Sequence, residues 1–197
     1  MIITVASFKG GVAKTTTAIH LATFLVKKGS TLLIDGDPNR SATGWAKRGQ
    51  LPFKVIDERQ AARFARDFEH VVIDTEARPD EDDLKALADG CDLLIIPTTP
   101  DALALDALLL TVDAIKSVGS ERYKVLLPII PPKPSHDGQD ARQMLRAAKL
   151  PFFRAGIPRF VAFQKAALAG TPVSEVTDPR AGEAWAAYER VGKEILS

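Results

Sequence analysis

The densest chemistry in the chain lies near its start, where Lys9-Gly10-Gly11-Val12-Ala13-Lys14-Thr15-Thr16 follows the apolar run Ile2–Ala6. Glycines in such a loop let backbone N–H groups turn inward around phosphate oxygens, and a following helix adds the positive end of its dipole. Lys14 then supplies a point charge to the outer phosphates, and the Thr15 hydroxyl can coordinate Mg²⁺. Against the common Gly-x-x-x-x-Gly-Lys-Ser/Thr pattern there are two departures. Lys9 precedes the glycines and adds a second cation, which suggests a partner phosphate or the nucleotide of a neighbouring subunit. Ala13 stands in the place of the last glycine. If its backbone takes a conformation suited to glycine, the methyl group costs about 1 kcal/mol or more and weakens nucleotide binding or turnover.

Two further apolar runs end in acids, at Asp35-Gly36-Asp37-Pro38 and at Asp74-Thr75. An acid after a buried strand in a phosphate-loop enzyme holds the hydration shell of magnesium, and another nearby positions attacking water. Asp74 is the first candidate for the metal, with Asp35 and Asp37 next. A plain turn with helix-capping residues at Asp37-Pro38-Asn39 is the competing reading. From Lys133 to Lys165 seven basic residues, Lys133, Arg142, Arg146, Lys149, Arg154, Arg159 and Lys165, face only Asp137 and Asp140 in a chain of net charge +1. Such an excess suits sequence-independent contact with DNA phosphates, or else it is a solvated helical face.

These residues need a scaffold that brings them to one edge. Strand-like runs occur at Ile2–Ala6, Thr31–Ile34, Val71–Ile73, Leu93–Ile96 and Val125–Ile130, with weaker ones at Phe53–Ile56 and Phe152–Phe153. Helical patterns alternate with them at Lys14–Lys28, Ser41–Arg48, Glu58–Arg66, Asp80–Ala88, Ala102–Val118, Asp140–Ala148, Arg159–Ala169 and Arg180–Leu196. The alternation predicts an α/β fold, a mostly parallel twisted sheet with helices on both faces. Ligands in such folds sit beyond the carboxyl ends of the strands, where the glycine loop and the acids fall. The length, 197 residues, predicts one domain spanning 1–197. Cys91 is the sole cysteine, so neither an internal disulfide nor a cysteine metal cluster is possible, and a reducing cytoplasm is the expected setting. No run is long and apolar enough for a membrane span. The last helix pattern carries Glu183, Glu189 and Glu194, which oppose binding to anionic lipid, and is read as a packing helix.

The motifs resemble those of a known family. Lys9 to Thr16 is similar to the deviant Walker A motif of the ParA/MinD ATPases, Asp35 to Pro38 to their switch I, and Val72 to Thr75 to their Walker B. The resemblance spans nearly the whole chain and implies a P-loop NTPase fold, ATP and Mg²⁺ as cofactors, and ATP hydrolysis. It implies that Lys9 reaches across an ATP-dependent homodimer, that Gly10, Gly11, Val12, Ala13, Lys14, Thr15 and Thr16 hold phosphate, and that Asp37 orients water. Thr15, Asp35 and Asp74 support the metal, so Lys9, Lys14 and Asp37 form the catalytic set. Asp37 to Trp45, Asp74 to Pro79 and Pro100 to Asp106 resemble the McdA carboxysome-positioning ATPases more narrowly. Glu76 departs from the small or proline residues that usually follow the Walker B motif.

By that resemblance the protein is a small ParA-type switch. ATP drives dimerisation and binding to non-specific nucleoid DNA, an adaptor of McdB or ParB type stimulates hydrolysis, and a cargo, carboxysomes, is positioned without a membrane. Plasmid or chromosome partition is the alternative within the family, and a small-molecule ATP-dependent ligase or kinase the alternative of another class. Guanine recognition in many relatives uses Asn-Lys-x-Asp, and Asn39 is the lone asparagine, which favours adenine. The segment from Pro128 to Pro132, with Pro131 as candidate, resembles the family's adenine-side loop or is simply a rigid strand exit.

Overall fold

The short apolar runs become strands because β-branched and leucine side chains at alternate positions are buried on both sides of one sheet. The computed structural model describes residues 1–7, 9–77, 81–117 and 122–197. Its strands are β1 (Ile2–Ser7), β2 (Thr31–Asp35), β3 (Lys54–Asp57), β4 (His70–Ala77), β5 (Leu93–Pro97) and β6 (Tyr123–Leu126). They form one sheet in the order β3-β2-β4-β1-β5-β6, and all five neighbouring pairs are parallel.

The helices are α1 (Lys14–Leu25), α2 (Ser41–Arg48), α3 (Ala61–Phe64), α4 (Glu81–Asp89), α5 (Ala102–Ser117), α6 (Asp137–Ala147), α7 (Val161–Ala169) and α8 (Ala181–Ile195). Period-two alternation sorts the strand residues. Ile3, Val5, Leu33, Val72 and Ile95 point into the core shared with α1, α2, α7 and α8. Leu94 and Ile96 point to the opposite side, toward α5 and α6, while Leu32, Ile34 and Val71 meet Phe64 of α3. Helix α1 is buried on nearly every side, which is why its pattern is apolar all round.

Three expectations shift. The Glu58–Arg66 pattern breaks into a 3₁₀ turn, the single turn α3 and a second 3₁₀ turn. Strand β6 stops at Leu126 rather than at Ile130, since Ile129 has φ +55° and cannot continue a strand. Phe152 makes only an isolated bridge to Val125. Asp80 and Val118, the expected ends of two helices, lie outside the described residues.

Helix α2 is tied to α7 at its far end. Arg48 Nε donates to the Ala167 carbonyl at 2.7 Å and Trp45 Nε1 to the Thr171 carbonyl at 3.2 Å. The loop between β2 and α2 is therefore fixed from behind.

Candidate nucleotide site

Parallel pairing places Asp35, the last residue of β2, beside Asp74 within β4, and Val5 of β1 beside Asp74 on the other flank. The loop leaving β1 thus rises next to both acids. Gly11 has φ +77° and Ala13 φ +62°, so the backbone turns through the left-handed region at both before α1 begins. Ala13 occupies the conformation that its place in the motif demands of glycine, and its carbonyl accepts the first α1 bond from Thr17 N–H at 2.9 Å.

A cleft of about 440 Å³ opens above the loop, walled by Gly10, Gly11, Lys14, Thr15, Thr16 and Asp37. Lys14 is only 7% exposed, so its charge works in a partly desolvated setting. Asp74 is fully buried and neither of its carboxylate oxygens has a hydrogen-bond partner. Burial pushes its carboxyl up to about 7; the nearby Thr15 hydroxyl and the Lys14 charge pull against that rise, and Asp35 and Asp37 add to it. An orphaned carboxylate beside a threonine hydroxyl and a lysine fits a hydrated Mg²⁺, which removes the cost of burying it unpaired. Among the described residues no cluster of three or more His, Cys, Asp or Glu side chains could hold a metal by itself.

Asp35, expected to support the metal, is hydrogen-bonded through both carboxylate oxygens. Its Oδ2 accepts from Thr43 N–H at 2.8 Å and from the Thr43 hydroxyl at 2.6 Å, and its Oδ1 accepts from Asp37 N–H at 3.3 Å. Oδ2 thus satisfies an unpaired N-terminal donor of α2 and Oδ1 braces the turn at Asp37, so Asp35 holds the loop in place. Asp37 lines the cleft, with Oδ1 accepting from Asn39 N–H and Nδ2 at 2.8 and 3.0 Å. The turn reading of Asp37-Pro38-Asn39 holds, and the turn sets the acid on the cleft wall.

Two residues, Arg40 in this loop and Thr43 in the first turn of α2, were missed from sequence. Arg40, at φ +53°, donates to the Asp35 carbonyl at 2.7 Å and pairs with Asp57 at 2.8 Å. Thr43 anchors Asp35. Their signal, a polar run after a strand, is common to any capped helix, and Asp57 comes from a strand whose pairing no local pattern reveals.

Lys9 Nζ lies 2.9 Å from Asp101 Oδ1 in the same chain. Thr99, Lys9 and the Ala104 N–H hold the Asp101 carboxyl below its ordinary range.

A second cavity of about 260 Å³ adjoins the phosphate cleft, and Ala13, Thr16 and Ile129 line both. Its walls are mostly apolar: Pro128, Ile129, Pro158, Phe160 and Phe163, with Gln164 at the polar edge. This is a flat-walled space of the kind a nucleobase fills. Pro128 and Ile129 line it and Pro131 does not. Under it His20 stacks on Tyr188 at 4.9 Å and meets Trp45 and Phe163 edge-on. His20 Nδ1 bonds the Thr16 carbonyl at 2.6 Å while Nε2 accepts from Val173 N–H at 3.1 Å, the pattern of a neutral imidazole. Burial holds its pKa down to about 4, against the raising effect of the Thr16 carbonyl.

The basic candidates separate. Arg142 and Arg154 meet at one cleft, Arg159 lines the base cavity, and Lys165 pairs with Asp178 at 2.8 Å. The Arg146 guanidinium lies 5.8 Å from the Phe152 ring centroid. Lys133 and Lys149 do not line that shared cleft.

A parallel sheet with a phosphate loop at the end of β1, a buried acid in the adjacent strand β4 and a base-sized cavity beyond define a phosphate-loop nucleotide-binding protein. Residues 3–173 match the family described as the CobQ/CobB/MinD/ParA nucleotide binding domain, and the chain belongs to that family. It is 35% identical to maintenance of carboxysome distribution protein A of Gloeobacter kilaueensis, over 98% of this chain and 93% of that protein. A plasmid partition protein of Borrelia burgdorferi bound to AMPPNP superposes with a TM-score of 0.76 at 21% identity, covering 99% of this chain and 98% of that one. An ATP complex of Cyanothece McdA gives 0.75 at 18% identity, covering 99% and 95%. No helix among the described residues is long and apolar enough to cross a membrane.

Proposed function

We propose that the protein is an ATP-hydrolysing positioning switch of the ParA type, acting on carboxysomes. The observation that carries the reading is the continuity of the phosphate cleft with the base cavity through Ala13, Thr16 and Ile129. A nucleotide lying along it places its outer phosphates at Lys14, Thr15 and Asp37. Mg²⁺ held by Thr15 and steered by Asp74 would neutralise charge that develops between the outer phosphates. Asp37 orients the attacking water, Asp35 and Thr43 fix Asp37, and the apolar cavity takes adenine. Lys9 turns from Asp101 to the phosphates of a second subunit, which makes dimerisation dependent on ATP. The dimer holds non-specific DNA of the nucleoid, and an adaptor of McdB or ParB type accelerates hydrolysis, in the cytoplasm. The carboxysome reading is supported by the 35% identity to the Gloeobacter protein over nearly the whole chain.

The test measures sedimentation and retention on random-sequence DNA, with ATP and Mg²⁺ and with ADP. Dimerisation and retention with ATP alone support the reading. Their absence, in this chain and in Ala13→Gly, overturns it. Phosphate release that needs a small acid or amine and no adaptor would favour a ligase or kinase instead.

A further inference from the structure

We infer that Arg40 is a positioning residue for hydrolysis: its guanidinium braces the turn that carries Asp37 and ties that turn to the edge strand β3. The inference rests on the function proposed above, in which Asp37 orients the attacking water.

The brace closes around one peptide unit. The Asp35 carbonyl accepts from Arg40 Nη1 at 2.7 Å, and the next amide, Gly36 N–H, donates to the Asp74 carbonyl at 2.8 Å. The peptide between Asp35 and Gly36 is therefore held on both sides, by Arg40 on one and by β4 on the other. A Cβ at Gly36 would stand 3.2 Å from that Asp74 oxygen and 3.3 Å from Glu58 Oε2, so the chain leaves β2 through a narrow gap. The backbone of Arg40 grips the far end of the same turn, where its N–H donates to the Asp37 carbonyl at 2.8 Å. Contacts before and after Asp37 leave its carboxylate little freedom to swing away from the cleft.

The guanidinium is itself anchored. Arg40 Nη2 lies 2.8 Å from Asp57 Oδ2, while Asp57 Oδ1 accepts from Arg59 N–H at 2.9 Å. Asp57 is the register partner of Asp35 in the β2–β3 pairing, so the anchor belongs to the sheet. Arg40 holds φ +53°, a conformation uncommon for any residue but glycine, and makes no side-chain cap on α2. Its side chain is committed instead to the turn and to β3. A guanidinium suits this place because its planar fork serves a carbonyl and a carboxylate at once, whereas a lysine ammonium is a single point charge.

The test uses Arg40→Asn. Asparagine tolerates the left-handed conformation and is too short to bridge the turn and β3, so the fold is kept while the brace is lost. Hydrogen exchange at the Gly36 amide of the nucleotide-free chain is expected to speed up about tenfold. ATP hydrolysis with Mg²⁺ is expected to lose about tenfold in kcat, with KM changed by less than about twofold. Arg40→Lys is expected to recover part of both. Asp57→Asn keeps an acceptor for Arg59 N–H and removes the charge; it is expected to weaken both readouts by about threefold, and to add nothing once Arg40 is replaced. Unchanged Gly36 exchange in Arg40→Asn overturns the brace. Faster exchange with full kcat, or a raised KM at constant kcat, overturns the positioning of Asp37. If the unsubstituted chain hydrolyses no ATP, the function proposed above fails, and Gly36 exchange by itself decides whether Arg40 braces the turn.

Discussion

Lys9 Nζ sits 2.9 Å from Asp101 Oδ1, and the same Asp101 oxygen accepts from Ala104 N–H at 3.0 Å, so the residue that starts α5 also restrains the loop's first cation. For Lys9 to serve a second subunit this pair must open. Both side chains are partly exposed, which keeps the cost at about 0.2–1 kcal/mol. Asp101→Asn retains the helix cap and releases the cation. Sedimentation with ATP is expected to show dimerisation at about two- to fivefold lower protein concentration. An unchanged dimerisation curve would show that the pair does not restrain Lys9.

Ala13 holds φ +62° at the mouth of both cavities. Ala13→Gly is expected to stabilise the chain by about 1 kcal/mol, seen as a rise of about 2–4 °C in melting temperature. Nucleotide affinity, measured by calorimetry, should rise with it.

Asp74 is buried without partners, and its carboxyl is raised from 3.8 to about 7. Between those values the folded chain keeps a proton that the unfolded chain has lost, so this residue subtracts stability increasingly as pH rises, and fully above about 7. Ligand-free Asp74→Asn should therefore be more stable than the parent at about pH 8, by on the order of 2–4 kcal/mol in urea unfolding, with the gap closing toward about pH 4. Added ATP and Mg²⁺ should raise the melting temperature of the parent and leave the variant nearly unmoved.

His20 has the opposite sign. Its folded pKa of about 4 lies below the ordinary 6.5, so the unfolded chain takes up a proton first, and the stability present above 6.5 is lost as pH falls toward 4. The full loss is about 3 kcal/mol. His20→Gln keeps a donor and an acceptor at the site. The stability difference between parent and variant is expected to shrink over that pH window, and a constant difference would disprove a neutral buried imidazole.

Much of this protein was legible without coordinates because its signals are local. The glycine loop, the lysine at the start of a helix and the acids closing apolar runs announce themselves within a few residues, and the alternation of strand and helix patterns implied the parallel sheet. Local patterns also overreached, as where the run from Val125 to Ile130 reads as one strand although Ile129 turns out of the sheet to line the base cavity. Asp35 and Asp74 look equivalent in sequence, each ending an apolar run. Only the fold separates them, because Thr43 reaches back to satisfy Asp35 while nothing satisfies Asp74.

The chain's order of residues was enough to determine the kind of chemistry, since phosphate binding needs particular groups at fixed short spacings. Tertiary structure decided which groups remain free to do it. That depends on hydrogen bonds and ion pairs between residues far apart in the chain, such as Lys9 with Asp101, Arg40 with Asp57, and Glu194 with the backbone beside Arg154. Strand order and helix packing set those distances, and no local spacing encodes them.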